Sequence, residues 1–370
     1  MFGLKANVKD NVHYADENVV MYPAGHNVVK YYSENKLQEF INGTDLSRGV
    51  TALAVSSDKR FIAVAEESDR AVVFVYNLRT LYKRKQLATP DVRSRVFISM
   101  CFSSDSTLLL TQSGAPDWTL VCWAWEKSKL MAMVRTSPSS EANIHQVSFN
   151  PIDPRYVATT GRNILRFYRI DEDKFTPITE SPAMAKRHSQ NQNYLCHTWL
   201  PGNRTVAGTS AGELLLFHET DLLTVLPSSP ADGKSINCLI SFSRGFLAAG
   251  AMGILRMYEP TDEPGQYYVQ TKEFQLRVAA GAPTPTITSM ALSPSEDQVA
   301  VTLDNCQLMQ LSLAHADVLK VCSNRDALVC LCACASACKR PAAHSCVRVW
   351  LLCCSPPPPA RCRTKSRSSL

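Results

Sequence analysis

The residue types best suited to metal ligation or nucleophilic chemistry in this chain are its 14 cysteines and eight histidines. Nine of the cysteines (Cys322, Cys330, Cys332, Cys334, Cys338, Cys346, Cys353, Cys354 and Cys362) fall in the last fifty residues. A structural zinc site takes paired thiolates at C-x2-C or similar spacing. Cys330, Cys332 and Cys334 stand at C-x-C spacing instead, and Cys338, His344 and Cys346 do not complete the usual set. Acylation of cysteines beside apolar residues is a second chemistry for this segment. Neither accounts for the whole of it. A Cys/Ala-rich stretch, four prolines at 356–359 and a Ser/Arg end read as non-native coding sequence, and disorder is expected there.

The other five cysteines (Cys101, Cys122, Cys196, Cys238 and Cys306) are scattered singly among apolar residues, as small buried hydrophobes. The histidines (His13, His26, His145, His188, His197, His218, His315 and His344) are dispersed without metal-ligand spacing, and His197 and His218 are expected to be structural. Neither nucleotide-binding glycine pattern is present, nor HExxH, nor GxSxG. Asp69 and Asp117 sit in turn contexts that explain them. The runs Tyr82, Lys83, Arg84, Lys85 and Lys186, Arg187, His188 have the composition of phosphate-contacting patches, but each reads first as a solvated outer loop. No catalytic, cofactor-binding or metal residue is therefore assigned, and no cofactor is expected.

Charge excludes a further class. The formal net charge is +6, yet residues 321–370 alone carry eight basic residues against Asp326. Residues 1–320 are thus near neutral, so bulk attraction to nucleic acid is not expected. No secretory signal and no apolar stretch of membrane-spanning length is visible, which favours a reducing, intracellular setting without membrane contact.

The elements that carry these residues repeat. Six segments share one pattern: an apolar strand ending in a small polar turn, a second apolar strand, a Gly/Asp/Asn turn, then a strand ending in an aromatic. Their anchors are Val55, Phe102, Phe149, Trp199, Ile240 and Leu292, at steps of 47, 47, 50, 41 and 52 residues. Such steps match one blade of a β-propeller. Tyr76, Trp125, Tyr168, Phe217 and Tyr258 fall where WD repeats place tryptophan, though none is followed by Asp. A weaker unit before the first has strands near 12–14, 19–22, 28–32 and 37–41, and makes seven. The expected fold is all-β: a seven-bladed WD-repeat β-propeller over residues 1–315, with blades beginning near 11, 50, 97, 144, 194, 236 and 287. A disordered Cys/Pro/Arg-rich tail over 316–370 follows it. Residues 2–4 are expected to close the ring as the missing fourth strand of the last blade. The stretches 127–143, 171–193 and 259–286 are expected to be loops between blades, where recognition tends to reside.

The opening FGLK…N, the PAGHNVV hairpin, VTALAVSSDKRFIAVAEE, HQVSFNPIDP, GILRMYEP and the HADVLK exit resemble the cilia- and flagella-associated protein 57 family over about residues 2–320. The resemblance implies tandem N-terminal propellers followed by a coiled coil, and a non-enzymatic axonemal adaptor associated with inner dynein arms and ciliary motility. It implies protein partners, inner dynein arm and microtubule-associated components among them, and a place in the cytoplasm, the cytoskeleton and the ciliary or flagellar axoneme. Only the first propeller of that layout is present, which leaves self-association without its expected coiled coil and reads as a truncated gene product. A trafficking or ubiquitin-ligase adaptor, or a propeller hydrolase, are the competing functions; the hydrolase needs polar groups on the channel-lining strands, and these are few.

Overall fold

The computed structural model describes residues 3–137, 143–179, 192–226, 234–276, 284–314 and 318–322. They form seven four-stranded antiparallel sheets, each in simple chain order. Blade 1 is β1 (His13–Asp16), β2 (Val19–Ala24), β3 (Asn27–Tyr32) and β4 (Gln38–Ile41). Blade 2 is β5 (Val50–Val55), β6 (Phe61–Glu66), β7 (Val72–Asn77) and β8 (Lys83–Leu87). Blade 3 is β9 (Phe97–Phe102), β10 (Leu108–Ser113), β11 (Thr119–Ala124) and β12 (Lys129–Arg135). Blade 4 is β13 (Ile144–Phe149), β14 (Tyr156–Gly161), β15 (Ile164–Asp171) and β16 (Lys174–Pro177). Blade 5 is β17 (Tyr194–Leu200), β18 (Arg204–Thr209), β19 (Leu214–His218) and β20 (Asp221–Leu226). Blade 6 is β21 (Ile236–Phe242), β22 (Gly245–Gly250), β23 (Ile254–Pro260) and β24 (Tyr268–Gln275). Blade 7 is β25 (Ile287–Leu292), β26 (Gln298–Leu303), β27 (Leu308–Ser312) and β28 (Val318–Cys322).

Local sequence explains the repeat. The small polar turns in SSDKR, SSDST and SPSED fold alike: Ser56, Ser103 and Ser293 each bridge their hairpin through backbone bonds to Phe61, Leu108 and Gln298. Their fourth residues, Lys59, Ser106 and Glu296, all take positive φ near 60°. Asp58 and Asp105 accept from the serine hydroxyl two residues back, which fixes the turn before the second strand begins. The second strands are then buried on both faces, β6 and β22 along their whole length, and so read as continuous apolar runs.

Those faces pack against the next blade. Seven hydrophobic clusters fill the seven junctions between neighbouring sheets. One joins Tyr14, Tyr22 and Val29 of blade 1 to Ala291, Ala300 and Leu308 of blade 7. The ring is closed by that last cluster and by hydrogen bonds across it: Thr302 Oγ1 to Asn11 Oδ1 at 2.7 Å, Gln310 Nε2 to the Tyr14 hydroxyl at 3.1 Å, and Ser295 N to Glu17 Oε1 at 2.5 Å.

Two expectations are corrected. The fourth strand of blade 7 is β28, not residues 2–4; it lies past residue 315, within the stretch assigned to the tail. The stretches expected to be inter-blade loops hold β12, β16 and β24. Outer strands face solvent where the blades splay, so they lack the apolar run that marks the inner three; β16 reads KFTP.

Candidate functional site

The first strands of neighbouring blades lie side by side around the ring and so line the central channel. In blades 2 to 7 each carries a β-bulge one residue after its start, which leaves Thr51, Ile98, His145, Leu195, Asn237 and Thr288 out of the ladder. A bulge re-aims a side chain and frees a backbone group from pairing. Gly250 permits the bulge at Asn237: a Cβ there would stand 2.0 Å from the Ser235 carbonyl oxygen.

The N-terminal segment occupies this channel. Leu4 and Val8 are buried. Lys5 donates its backbone N–H to Pro23 O and its ammonium to Val50 O. Lys9 forms a parallel bridge with Ala52 of blade 2, and its Nζ donates to the freed Asn237 carbonyl of blade 6 at 2.6 Å. One side chain thus spans blades from well-separated positions in the ring. Burial works against the Lys9 charge, but the Asp10 carboxylate beside it favours it, and the ammonium is held above its ordinary range. Asn11 ties the segment back by donating to Lys5 O and accepting from Thr302. Leu4 therefore adds no strand to blade 7 but packs in the blade 1–blade 7 cluster, and Lys9 further along stoppers the channel. Deleting residues 1–10 is expected to speed the native-state labelling of Cys196 and Cys238, followed by peptide mapping, and to lower the Tm. Equal labelling rates and an unchanged Tm would contradict the stopper.

Beside the stopper, a polar network joins blades 4 and 5. His197 is 1% exposed. Its Nε2 lies 2.7 Å from Ser148 Oγ and its Nδ1 3.0 Å from Thr160 Oγ1. Trp199 Nε1 donates to the same Ser148 Oγ at 2.9 Å, and Gln146 accepts from His197 N. A serine bonded to a histidine resembles a nucleophile and its base, but the third group here is a threonine hydroxyl, which cannot balance an imidazolium. Burial, with the Lys9 charge, pulls His197 down to about 3, so it does not take a proton at neutral pH. The network holds two blades together rather than doing acid–base chemistry. Burial likewise lowers His13 to about 4, and lowers His145, which sits 2.9 Å from Asn193.

The other sequence candidates are spread over the disc. His26 and His218 are exposed. Asp69 pairs with Arg48 and Arg95, and Asp117 accepts from Arg93 N at 2.7 Å, so each also links its turn to a neighbouring loop. Burial raises Cys101 to about 11 and Cys122 and Cys196 to about 12, which makes them poor thiolate donors at neutral pH. Among the described residues no three His, Cys, Asp or Glu side chains are placed to share a metal ion. His188, His315, His344, the cysteines from Cys330 onward and the Lys186–Arg187–His188 run lie outside the described residues. Lys9, Asp10 and Asn237 escaped sequence reasoning, because a bulge and a channel-filling turn leave no periodic signal.

Seven four-stranded sheets closed in a ring make this chain a seven-bladed β-propeller of the WD-repeat kind. The β-propeller domain of Cps50 (Swd1) from Myceliophteria thermophila superposes with a TM-score of 0.62 at 16% identity, over 74% of this chain and 86% of that one. The chain is similar to cilia- and flagella-associated protein 57 of Mus musculus, at 28% identity over 86% of its length. It is also similar to cilia- and flagella-associated protein 57 A of Tetrahymena thermophila, at 26% identity over 84%. It spans 29% and 28% of those two proteins, under a third of each. No family model matches the chain.

Proposed function

We propose that the chain is a non-enzymatic protein-interaction scaffold of the ciliary or flagellar axoneme, with the propeller, through β28, as its working domain. The observation that carries this reading is similarity along most of the chain to proteins whose names place them with cilia and flagella. The geometry is consistent with it: the channel, where a propeller enzyme would gather its catalytic groups, holds the chain's own N-terminal segment. Binding then falls to the faces and outer edges of the disc, which a rigid ring presents in fixed register. Within this reading the partners are axonemal proteins, inner dynein arm and microtubule-associated components among them, and the consequence is ciliary motility.

The test is co-sedimentation of the purified full-length chain with demembranated axonemes. Saturable retention, reversed by unlabelled chain, is expected. Retention no greater than that of an unrelated propeller would overturn the proposal.

A further inference from the structure

The loops after the first and third strands of every antiparallel blade emerge on one face of the ring, and on that face blades 2 and 3 carry an unusual rim. The turn from β7 to β8 brings up Arg79 and Tyr82, and β8 continues with Lys83, Arg84 and Lys85. The 3-10 turn at Trp125–Lys127, which packs against β8, adds Lys127, and Lys129 follows at the start of β12. The two blades are locked together here. Trp125 packs tilted against Phe61 with ring centroids 4.8 Å apart, Ser57 Oγ donates to Ser103 O and Asp58 N donates to Ser106 Oγ.

The rim differs from the rest of the disc in its charge. Elsewhere some exposed arginines are matched, Arg155 by Asp153, Arg169 by Asp171, and Arg48 and Arg95 by Asp69, while Arg70, Arg135, Arg162 and Arg244 stand singly; here six basic side chains gather on two adjoining blades. None of Arg79, Lys83, Arg84, Lys85, Lys127 and Lys129 makes an ion pair among the described residues. Of the acids on the same loops, Asp58 is engaged by its own turn and by Arg60, and Glu126 lies within the 3-10 turn beside Lys127. Tyr82 is 76% exposed in their midst. Lys83 Nζ sits over the Phe74 ring at 5.1 Å, which fixes where that charge is presented. β8 is the outermost strand of its sheet, so one row of its backbone groups is unpaired. An open edge accepts an added strand, and lysines along it repel an apolar or basic one while favouring an acidic one.

We propose that this rim docks an extended acidic segment of a partner protein. The segment's carboxylates meet Lys83, Arg84 and Lys127, its backbone runs along β8, and an apolar side chain rests on Tyr82. Charge complementarity selects the acid, and the strand edge with a lone exposed ring selects a peptide. A polyphosphate or a membrane surface fits less well, because residues 1–320 carry no net positive field to gather one. The proposal rests on the scaffold reading and supplies the chemistry of one partner.

Fluorescence anisotropy on the purified full-length chain tests it, with a short fluorescein-labelled Glu-rich peptide containing one leucine, at low salt. Binding is expected to weaken with salt and to fall about tenfold or more in the Lys83→Glu, Arg84→Glu double variant. Tyr82→Ser should weaken it less, and Lys174→Glu on blade 4 should leave it unchanged. All four side chains are exposed, so the Tm should hold. Absence of binding, equal binding by the double variant, or tighter binding of short RNA or anionic vesicles through the same residues would overturn the proposal. Axonemal retention alongside any of these results leaves the scaffold standing and removes only the acidic partner.

Discussion

Replacing Trp125 with alanine is expected to lower the unfolding free energy by about 4 kcal/mol, the range for a buried tryptophan cut back to a methyl. The side chain is 2% exposed, lies 4.8 Å from Phe61 of blade 2 and 6.0 Å from Phe102 of its own blade, and donates to Ser106 O at 2.8 Å. Removal opens a cavity at the blade 2–blade 3 junction and leaves the Ser106 carbonyl to find another donor. Trp125→Phe keeps the ring contacts and forgoes the hydrogen bond, so its loss should be about 1 kcal/mol. Denaturant unfolding of the three proteins checks this. A loss below about 1 kcal/mol in the alanine variant would mean that this junction does not hold the ring as described.

The second large effect is a loss of stability in mild acid. His197 is held at about 3 and His13 at about 4 in the folded protein, against about 6.5 for the free side chain. A depressed folded value means that the unfolded chain binds more protons between the two values, so stability rises with pH across that window. It is complete above pH about 6.5 and is lost progressively as pH falls toward the folded values. For His197 alone the loss between pH 7 and pH 5 is about 2 kcal/mol. That interval lies above the range where most carboxylates titrate. Urea unfolding at both pH values should show it. His197→Gln should be less stable at pH 7, because Ser148 and Thr160 lose their shared partner, yet its stability should vary less over the interval. An unchanged slope would remove His197 as the source.

The chain showed its blades in the sequence because their inner strands are buried on both faces. Val55, Phe102, Phe149 and Leu292 each end a first strand, ahead of the small polar turn that the SSD-type segments encode. Tyr76, Trp125, Tyr168, Phe217 and Tyr258 are all buried. What was hidden is what burial does not write. The outer strands β8, β12, β16 and β24 face water along one side, so KRKQL and KFTP carry no apolar period and look like loops. Blade 7 took its fourth strand from 318–322 rather than from the N-terminus, a choice of partner that no local pattern encodes. The channel was legible only in part. His197 was recognisable as structural, whereas Lys9 gains its role from a carbonyl more than two hundred residues away, freed by a bulge at Asn237. The basic run at 83–85 was visible as charge, but its lack of ion-pairing partners could be seen only once the neighbouring loops were in place.

A ciliary scaffold is tested most directly by where the tagged full-length protein resides in ciliated cells after detergent extraction. It should remain along the axoneme when membrane and soluble protein are removed. Complete release with the soluble fraction, or exclusion from cilia before extraction, would contradict it.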